Sequence, residues 1–196
     1  MQLHKHDVVE AATSLLDEYG IADLSMRRLA RELAVSPGAL YWHFANKQQL
    51  LGAVADRILL SVSNPTNPTP ESGDWRTGIV GTCGNLRESL LSHTDGAELV
   101  SASFAAGQSE AMSNVLAQLS AAAAEAGVDS CHAELVARTV IYYTLGFTAD
   151  EQSRLQWDAS GADVANTVWT ENPTARFTFG LSLLVDGIAA HSHADA

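Results

Sequence analysis

Residues 25–47 read SMRRLARELAVSPGALYWHFANK, and this segment predicts two short helices separated by a tight turn. Ser25 can cap the first helix, because its hydroxyl can accept a hydrogen bond from an unpaired amide of the first turn. Ser36 can cap the second, and Pro37 suits the first helical position, where its missing N–H removes no hydrogen bond. The arrangement is typical of a helix-turn-helix, whose second helix lies in the DNA major groove. The alternative interpretation is a three-helix packing unit with ordinary surface arginines.

The side chains of this segment suit the contacts that DNA recognition needs. Small Gly38 and Ala39 at the start of the second helix allow a close approach to base edges, and an alanine methyl can contact a thymine methyl. Arg27 can donate paired hydrogen bonds to a guanine edge or to a phosphate. The polar side chains with the reach for phosphates are Tyr41, His43 and Lys47.

Helical periodicity continues on both sides of the segment. Residues 4–19 carry one apolar face that ends at Gly20, and Asn46 with Gln49 resembles a capping box for a further helix. Residues 64–73, NPTNPTPESG, contain three of the five prolines, so a helix cannot continue through them. We therefore predict a helix-turn-helix domain over residues 1–46, a connecting helix over 47–63, a proline-rich loop over 64–73 and a second domain over 74–196.

The second domain also reads as helices. The apolar patterns cover residues 75–91, 111–126, 131–147 and 173–190, whereas residues 148–171 are periodic only in part. No stretch alternates between apolar and polar residues as a strand would, so the predicted fold class is all-α. Residues 131–147 and 173–190 are apolar around much of their circumference. This indicates either a buried core or a four-helix interface shared by two copies of the chain.

Composition and charge narrow the possible functions. The 196 residues carry a net charge of −12; residues 1–60 hold six basic and seven acidic groups, and residues 61–196 hold five and sixteen. An acidic surface repels DNA, so only the nearly neutral residues 1–60 could face DNA. The alternative is that the uneven charge reflects ordinary solvent-exposed surfaces. The chain lacks a phosphate-binding glycine loop, a GxSxG elbow and an HExxH motif, so we expect no enzyme, no cofactor and no metal site. Two cysteines and no long apolar run favour a cytoplasmic protein without a membrane partner.

The stretch LLDEYGIADLSMRRLARELAVSPGALYWHFANKQQLL, residues 15–51, resembles the N-terminal domain of the tetracycline-repressor (TetR) family. The run LYWHF-x-NK-xx-LL within it is the most specific part. Residues 74–100 and 125–147 resemble parts of the effector domain of the tetracycline repressors more faintly. The resemblance implies a homodimer that binds a palindromic double-stranded DNA operator and leaves it when a small-molecule effector binds, most often as a repressor.

The same resemblance implies which residues contact DNA. Arg27 falls where the family reads a base, and Ala34 lies in a turn where glycine is common, so a left-handed conformation there would cost about 1–2 kcal/mol. Arg31 adds positive charge near the DNA backbone. The implied DNA-binding residues are Arg27, Arg28, Ser36, Pro37, Gly38, Ala39, Tyr41, Trp42, His43 and Lys47.

The implied effector site differs from that of the tetracycline repressors. Those repressors use a magnesium-binding histidine at the position of Val100, and a valine cannot bind a metal. We therefore expect a largely apolar effector bound without magnesium, with Trp157 or Trp169 as possible further lining residues. The implied ligand-binding residues are Thr82, Leu86, Val100, Ser103, Phe104, Tyr142 and Tyr143. For each aromatic residue the alternative is an ordinary core position.

Two functions of different classes follow. The first is a ligand-responsive transcriptional regulator. The second is a helical small-molecule carrier or enzyme whose N-terminal part is only a packing module and has no affinity for DNA.

Overall fold

The computed structural model describes residues 3–63, 74–161 and 172–192, and within these ranges it forms ten helices and no strand. The predicted all-α fold class is confirmed. The helices are α1 Lys5–Tyr19, α2 Met26–Glu32, α3 Pro37–Tyr41, α4 Lys47–Ile58, α5 Leu60–Ser63, α6 Trp75–Leu91, α7 Gly96–Ala105, α8 Glu110–Glu125, α9 Ser130–Ala159 and α10 Pro173–Ser192. None of the described helices is both long enough and apolar enough to cross a membrane.

The predicted caps define the helices of the N-terminal domain. The hydroxyl of Ser25 accepts a hydrogen bond from the Arg28 amide at 3.2 Å, and that of Ser36 accepts one from the Ala39 amide at 3.3 Å. Asn46 accepts one from the Gln49 amide at 2.9 Å. These bonds satisfy donors that a helix leaves unpaired at its start, so each helix begins where its cap stands.

The second domain, which we call the effector domain after the resemblance noted above, is built around α9, which packs against α6, α7, α8 and α10. The apolar pattern predicted this helix only as far as residue 147, but it continues to Ala159. The reason is that the buried positions beyond residue 147 include Thr148 and Gln152, which continue a polar face that begins at Thr144. Each threonine hydroxyl donates a hydrogen bond to a backbone carbonyl one turn earlier in the same helix. The buried face therefore contains polar side chains, but their hydroxyls are hydrogen-bonded.

A buried ion pair joins three helices of this domain. Arg87 on α6 donates to both carboxylate oxygens of Glu151 on α9, at 2.9 and 2.7 Å, and both side chains are nearly buried. Its guanidinium also lies 5.2 Å from the centre of the Phe177 ring on α10. Removal of either charge would leave the other buried without a partner, which is strongly destabilising.

Helix α4 lies between the two parts of the chain, packed against α1 on one side and against α7 and α8 on the other. Gly52 stands at the closest approach. A methyl group on Gly52 would overlap the backbone carbonyl of Gln108, which lies between α7 and α8. Only glycine therefore permits this distance between α4 and the effector domain.

We expect Gly52→Ala to lower the free energy of unfolding by about 1–3 kcal/mol, because α4 must move away from Gln108 to make room. Gly84→Ala is the matched control, since Gly84 lies inside α6 with open space around it. Helix propensity alone should make that control more stable, by up to about 1 kcal/mol. Urea denaturation of both variants measures the difference, and an equal gain in both would show that α4 is not held by this contact.

The turn between α2 and α3 contains the strained residue expected from the sequence. Ala34 has a φ of 53°, in the left-handed region. The Val35 amide donates to the Ala30 carbonyl at 2.9 Å, and the Ala34 amide to the Arg31 carbonyl at 3.2 Å. This pair of bonds is the Schellman motif, which ends a helix and usually places glycine where Ala34 stands.

Ala34→Gly should raise the free energy of unfolding by about 1 kcal/mol, because glycine adopts a positive φ without a steric penalty. The melting temperature should rise by about 2–4 °C. Ala45→Gly provides the control, since Ala45 is exposed and is not among the described residues with a positive φ. That change should leave the melting temperature unchanged or lower it. A loss of stability in Ala34→Gly would mean that unfolded-state entropy outweighs the relief of strain.

Candidate nucleic-acid interface and effector site

The start of α3 projects from the protein surface. Ser36, Pro37 and Gly38 are exposed, and Ala39 is half-buried. A methyl group on Gly38 would contact only the Ser36 hydroxyl, at 3.7 Å, so the backbone here is open to an approaching molecule. The predicted base-facing residues therefore share one accessible surface.

The opposite face of this segment anchors it to the core. Leu40 and Phe44 are fully buried, whereas Tyr41 is 53% and Trp42 is 91% exposed. A tryptophan with almost its whole ring in water buries none of its apolar area within the chain. Both aromatic rings are thus free to contact a partner beside α3.

The cations of this surface are not equivalent. Arg27 is exposed on α2, whereas Arg28 is half-buried and donates to Asp23 at 2.6 Å. The Arg28 guanidinium also lies 3.7 Å from the centre of the Tyr19 ring. Arg28 therefore ties α2 to the end of α1, and its role as a DNA contact stays a prediction.

Other cations flank the recognition helix. The predicted phosphate-contacting residues His43 and Lys47 are half-buried at the end of α3 and the start of α4. Lys5 on α1 was not predicted from the sequence, but its ammonium lies 5.0 Å from the centre of the Phe44 ring. This contact packs the start of α1 against the residue that anchors α3 to the core.

Polar contacts join the N-terminal domain to the loop between α6 and α7. The carboxylate of Asp17, on α1, accepts from the Thr94 amide at 3.2 Å and lies 3.1 Å from Nδ1 of His93. The Thr94 hydroxyl donates to the Asp17 carbonyl at 2.9 Å. Asp95 accepts from the Ile21 amide at 2.9 Å. We call the residues Asp17, Ile21, His93, Thr94 and Asp95 the interdomain seam.

The seam is held in place by α9. The buried side-chain amide of Gln152 donates to the carbonyls of Leu90 and His93, at 2.9 and 2.7 Å. Its oxygen accepts from the Ala97 amide at 3.0 Å. One side chain thus satisfies a backbone group at the end of α6, one in the α6–α7 loop and one at the start of α7. A displacement of α9 would therefore move the loop and with it the end of α1.

A second connection runs through α4. The carboxylate of Asp56 accepts from the Ser109 hydroxyl at 2.7 Å and from the Ala111 amide at 2.9 Å. It therefore caps the start of α8 from a neighbouring helix. Together with the contact at Gly52, this bond makes α4 and the start of α8 move as one body.

The residues predicted to bind an effector lie on α6, α7 and α9, and their exposure differs. Leu86 and Val100 are fully buried, and Ser103 is 2% exposed. The half-buried residues are Thr82, Phe104 and Tyr143. Tyr142 is 58% exposed, and Trp157, at the end of α9, is 63% exposed. Trp169 lies outside the described residues.

The two predicted tyrosines contact different parts of the domain. The Tyr143 hydroxyl donates to the Phe177 carbonyl at 2.9 Å, and the two rings stack with centres 5.6 Å apart. Burial raises the pKa of Tyr143. Tyr142 instead lies beside Phe104, with ring centres 6.3 Å apart. Tyr143 therefore packs α9 on α10, as the core interpretation expected, and Tyr142 belongs to a separate cluster with α7.

Two further features of this region could not be read from the sequence. The Arg138 guanidinium lies 5.3 Å from the centre of the Phe104 ring, next to Tyr142. The Ser103 hydroxyl is buried and has no hydrogen-bond partner among the described residues. No periodic signal could have found them, because both depend on how α7 lies against α9.

The two cysteines differ in environment. Cys83 is buried, and burial raises the pKa of its thiol to about 11, so it is inert at neutral pH. Cys131 is exposed at the start of α9, with its sulfur 3.3 Å from Nδ1 of His132.

Both parts of the chain match models of one protein family. Residues 8–54 match the model for bacterial regulatory proteins of the tetR family. Residues 67–168 match the model for the tetracyclin repressor-like C-terminal domain.

Curated proteins and solved structures agree with these matches. The tetracycline repressor protein class A from transposon 1721 of Escherichia coli is 33% identical over 206 residues, which cover 96% of this chain and 91% of that protein. The crystal structure of Mycobacterium smegmatis BioQ is 60% identical with a TM-score of 0.88, over 97% of this chain and 99% of that one. BioQ crystallised with its natural double-stranded DNA operator is 58% identical with a TM-score of 0.83, over 97% and 100%.

The similarity thus extends over the helices predicted to bind DNA, the interdomain seam and the helical domain behind them. Since it covers nearly the whole length of both this chain and its relatives, the protein belongs to the TetR family of ligand-responsive transcriptional regulators.

Proposed function

We propose that the protein is a homodimeric repressor that binds a palindromic DNA operator through α3 and releases it when a small molecule binds in the effector domain. The observation that carries this proposal is the exposed start of α3, which presents small residues outward while Leu40 and Phe44 fix it to the core. BioQ, to which the chain is 58% identical, was crystallised on its own operator.

The charge distribution supports this orientation on DNA. The acidic effector domain is repelled by phosphates, whereas the nearly neutral N-terminal part carries the exposed Arg27 and the half-buried Lys47. Pro37 and Gly38 carry no side-chain donors for bases, so the operator should differ from a tetracycline operator. Base recognition then rests on Arg27 and on apolar contacts with Ala39.

The regulation follows from the two connections between the domains. A ligand that binds better to one arrangement of α7 and α9 shifts the seam and α4, and hence the spacing of the two recognition helices in the dimer. Operator and ligand then weaken each other's binding by the same factor, because the coupling free energy is reciprocal. This reciprocal coupling is what a ligand-responsive regulator requires.

Selection of bound sequences from random duplex DNA tests the proposal directly. We expect a palindrome whose half-sites are separated by about one helical turn or a multiple of it. The absence of enrichment at low salt from protein that has been unfolded and refolded free of ligand would favour the carrier or enzyme alternative.

Substitutions on the DNA-binding surface should separate base contacts from phosphate contacts. We expect Arg27→Ala to weaken binding to the selected operator by about 1–3 kcal/mol more than binding to random DNA. Lys47→Ala should weaken both equally and reduce the salt dependence by the loss of about one phosphate contact. Fluorescence anisotropy over a salt series measures both, with Arg76→Ala in the effector domain as the control. Equal losses on both DNAs for Arg27→Ala would remove it from the base-reading residues.

The dimer interface is proposed to be formed by α9 and α10. These packed helices leave large apolar side chains in water in the single chain, which is unusual unless a partner covers them. The large apolar side chains that are exposed on the C-terminal half of α9 and on α10 are those of Leu155, Trp157, Phe179 and Leu183. A second copy of the chain is the occupant, because two copies of each helix complete the four-helix interface that the apolar sequence pattern allows.

Leu183→Glu should produce a monomer, because it places two charges in the proposed interface. Operator affinity should fall with it, since a monomer contacts one half-site. Leu60→Glu is the matched control: Leu60 is exposed to a similar degree, 55% against 58%, but lies on α5. Sedimentation velocity and operator binding of both variants give the readout, and a dimeric Leu183→Glu protein would place the interface elsewhere.

A further inference from the structure

We propose that the effector carries a carboxylate that binds the Arg138 guanidinium, in a site formed with Phe104 and Tyr142 between α7 and α9. This inference rests on the proposed function, since it names the chemistry of the ligand that releases DNA. It also departs from the expectation of a largely apolar effector.

The hydrogen-bonding capacity of Arg138 is only partly used. Its Nε donates to one carboxylate oxygen of Glu134 at 2.8 Å, and its Nη2 lies 2.8 Å from the same oxygen. A guanidinium has five N–H donors, and its Nη1–Nη2 edge matches the two oxygens of a carboxylate. Arg138 can therefore bind a second carboxylate without giving up its contact with Glu134.

The surroundings of Arg138 suit an organic anion. Phe104 lies against the guanidinium, and Tyr142 lies beside Phe104, so two aromatic rings flank the charge. Hydrogen bonds to Glu134 and, secondarily, to Tyr142 raise the pKa of Arg138, so its charge is permanent. Rings beside a fixed cation bind a molecule with an acidic end and an apolar body better than they bind an inorganic anion.

Three other arginines of the effector domain show what sets Arg138 apart. Arg87 is buried, and its Nε, Nη1 and Nη2 all donate to Glu151 or Thr174, so it offers no accessible edge to a ligand. Arg154 pairs with Asp150 one turn away, with an exposure close to that of Arg138, but it stacks on no described aromatic ring. Arg76 is also partly exposed and lies 4.6 Å from the Trp75 ring, but that ring belongs to the adjacent residue of the same helix. Of these four arginines, Arg138 is the one whose accessible edge lies beside an aromatic ring from another helix.

Ser103 supplies an independent sign of a ligand. Its hydroxyl is buried, has no partner among the described residues and directly precedes Phe104 in the last turn of α7. An unsatisfied buried hydroxyl costs about 1–3 kcal/mol, and a polar atom of a bound molecule would remove that cost. We therefore expect the effector to carry, apart from its carboxylate, a second polar atom that hydrogen-bonds to Ser103.

The test compares carboxylates with neutral molecules of the same shape. The full-length protein is titrated by calorimetry with octanoate, decanoate and ω-hydroxydecanoate, and with octanamide and decanamide. We expect at least one carboxylate to bind about tenfold or more tightly than its amide, which corresponds to the loss of about one charge-assisted hydrogen bond. Among the acids, ω-hydroxydecanoate should bind more tightly than decanoate.

Three variants identify the residues. Arg138→Gln should abolish the preference for carboxylate over amide, and the matched control Arg154→Gln should keep it. Glu134→Gln should increase carboxylate affinity several-fold, because it removes a negative charge that repels the incoming carboxylate. Ser103→Ala should abolish the advantage of ω-hydroxydecanoate over decanoate. An increase in one variant and a decrease in another cannot both come from misfolding.

Failure of the inference can be told from failure of the proposed function. If no carboxylate binds, if amides bind equally well, or if Arg138→Gln keeps the preference, the inference is wrong, whether or not a neutral compound releases the operator. If carboxylates bind through Arg138 but leave the operator complex intact in anisotropy, the site is correct and its regulatory role is wrong. If carboxylates make the native protein release the operator but do not release it from the Arg138→Gln variant, both the inference and the proposed function are supported.

Discussion

The approach of α4 to the Gln108 carbonyl is the contact on which the arrangement of this protein depends. Gly52 has no side chain, so the helix that leaves the DNA-binding domain lies directly on the junction between α7 and α8. Asp56 then bonds to the start of α8, one turn further along. Close-packed groups cannot move independently. A shift of the α7–α8 junction must therefore move α4 as well. The close contact requires glycine at position 52, and glycine favours the helix less than alanine does, by about 1 kcal/mol.

A second route joins the domains through hydrogen bonds. The seam holds the end of α1 to the α6–α7 loop, and Gln152 holds that loop to α9. Each buried backbone group here has a specific partner, so the loop has few alternative positions of comparable energy. The N-terminal domain is thus attached to the effector domain at two separate points, the end of α1 and α4. Both contacts determine its orientation.

The arginines of the effector domain show how the same residue type acquires different roles. Arg87 is desolvated beside Glu151 and fixes three helices, whereas Arg154 forms an exposed pair on one helix and contributes little to stability. Arg138 makes the same kind of pair but meets an aromatic wall on α7. Packing, and not spacing along the chain, distinguishes a structural ion pair, a solvated one and the proposed binding group.

The sequence by itself determined the features that depend on local bonds. The caps at Ser25, Ser36 and Asn46 follow from residues within one helical turn of each other, and the all-α class follows from the apolar periodicity. The left-handed turn at Ala34 was raised by the family resemblance, because glycine is common at that place. The extension of α9 beyond residue 147 was missed because its buried face pairs polar groups internally. Only the tertiary structure decided that Tyr142 and Tyr143 contact different helices, that Gln152 supports the interdomain seam and that Arg138 faces Phe104. These contacts join residues far apart in the chain, and their geometry is set by how whole helices pack.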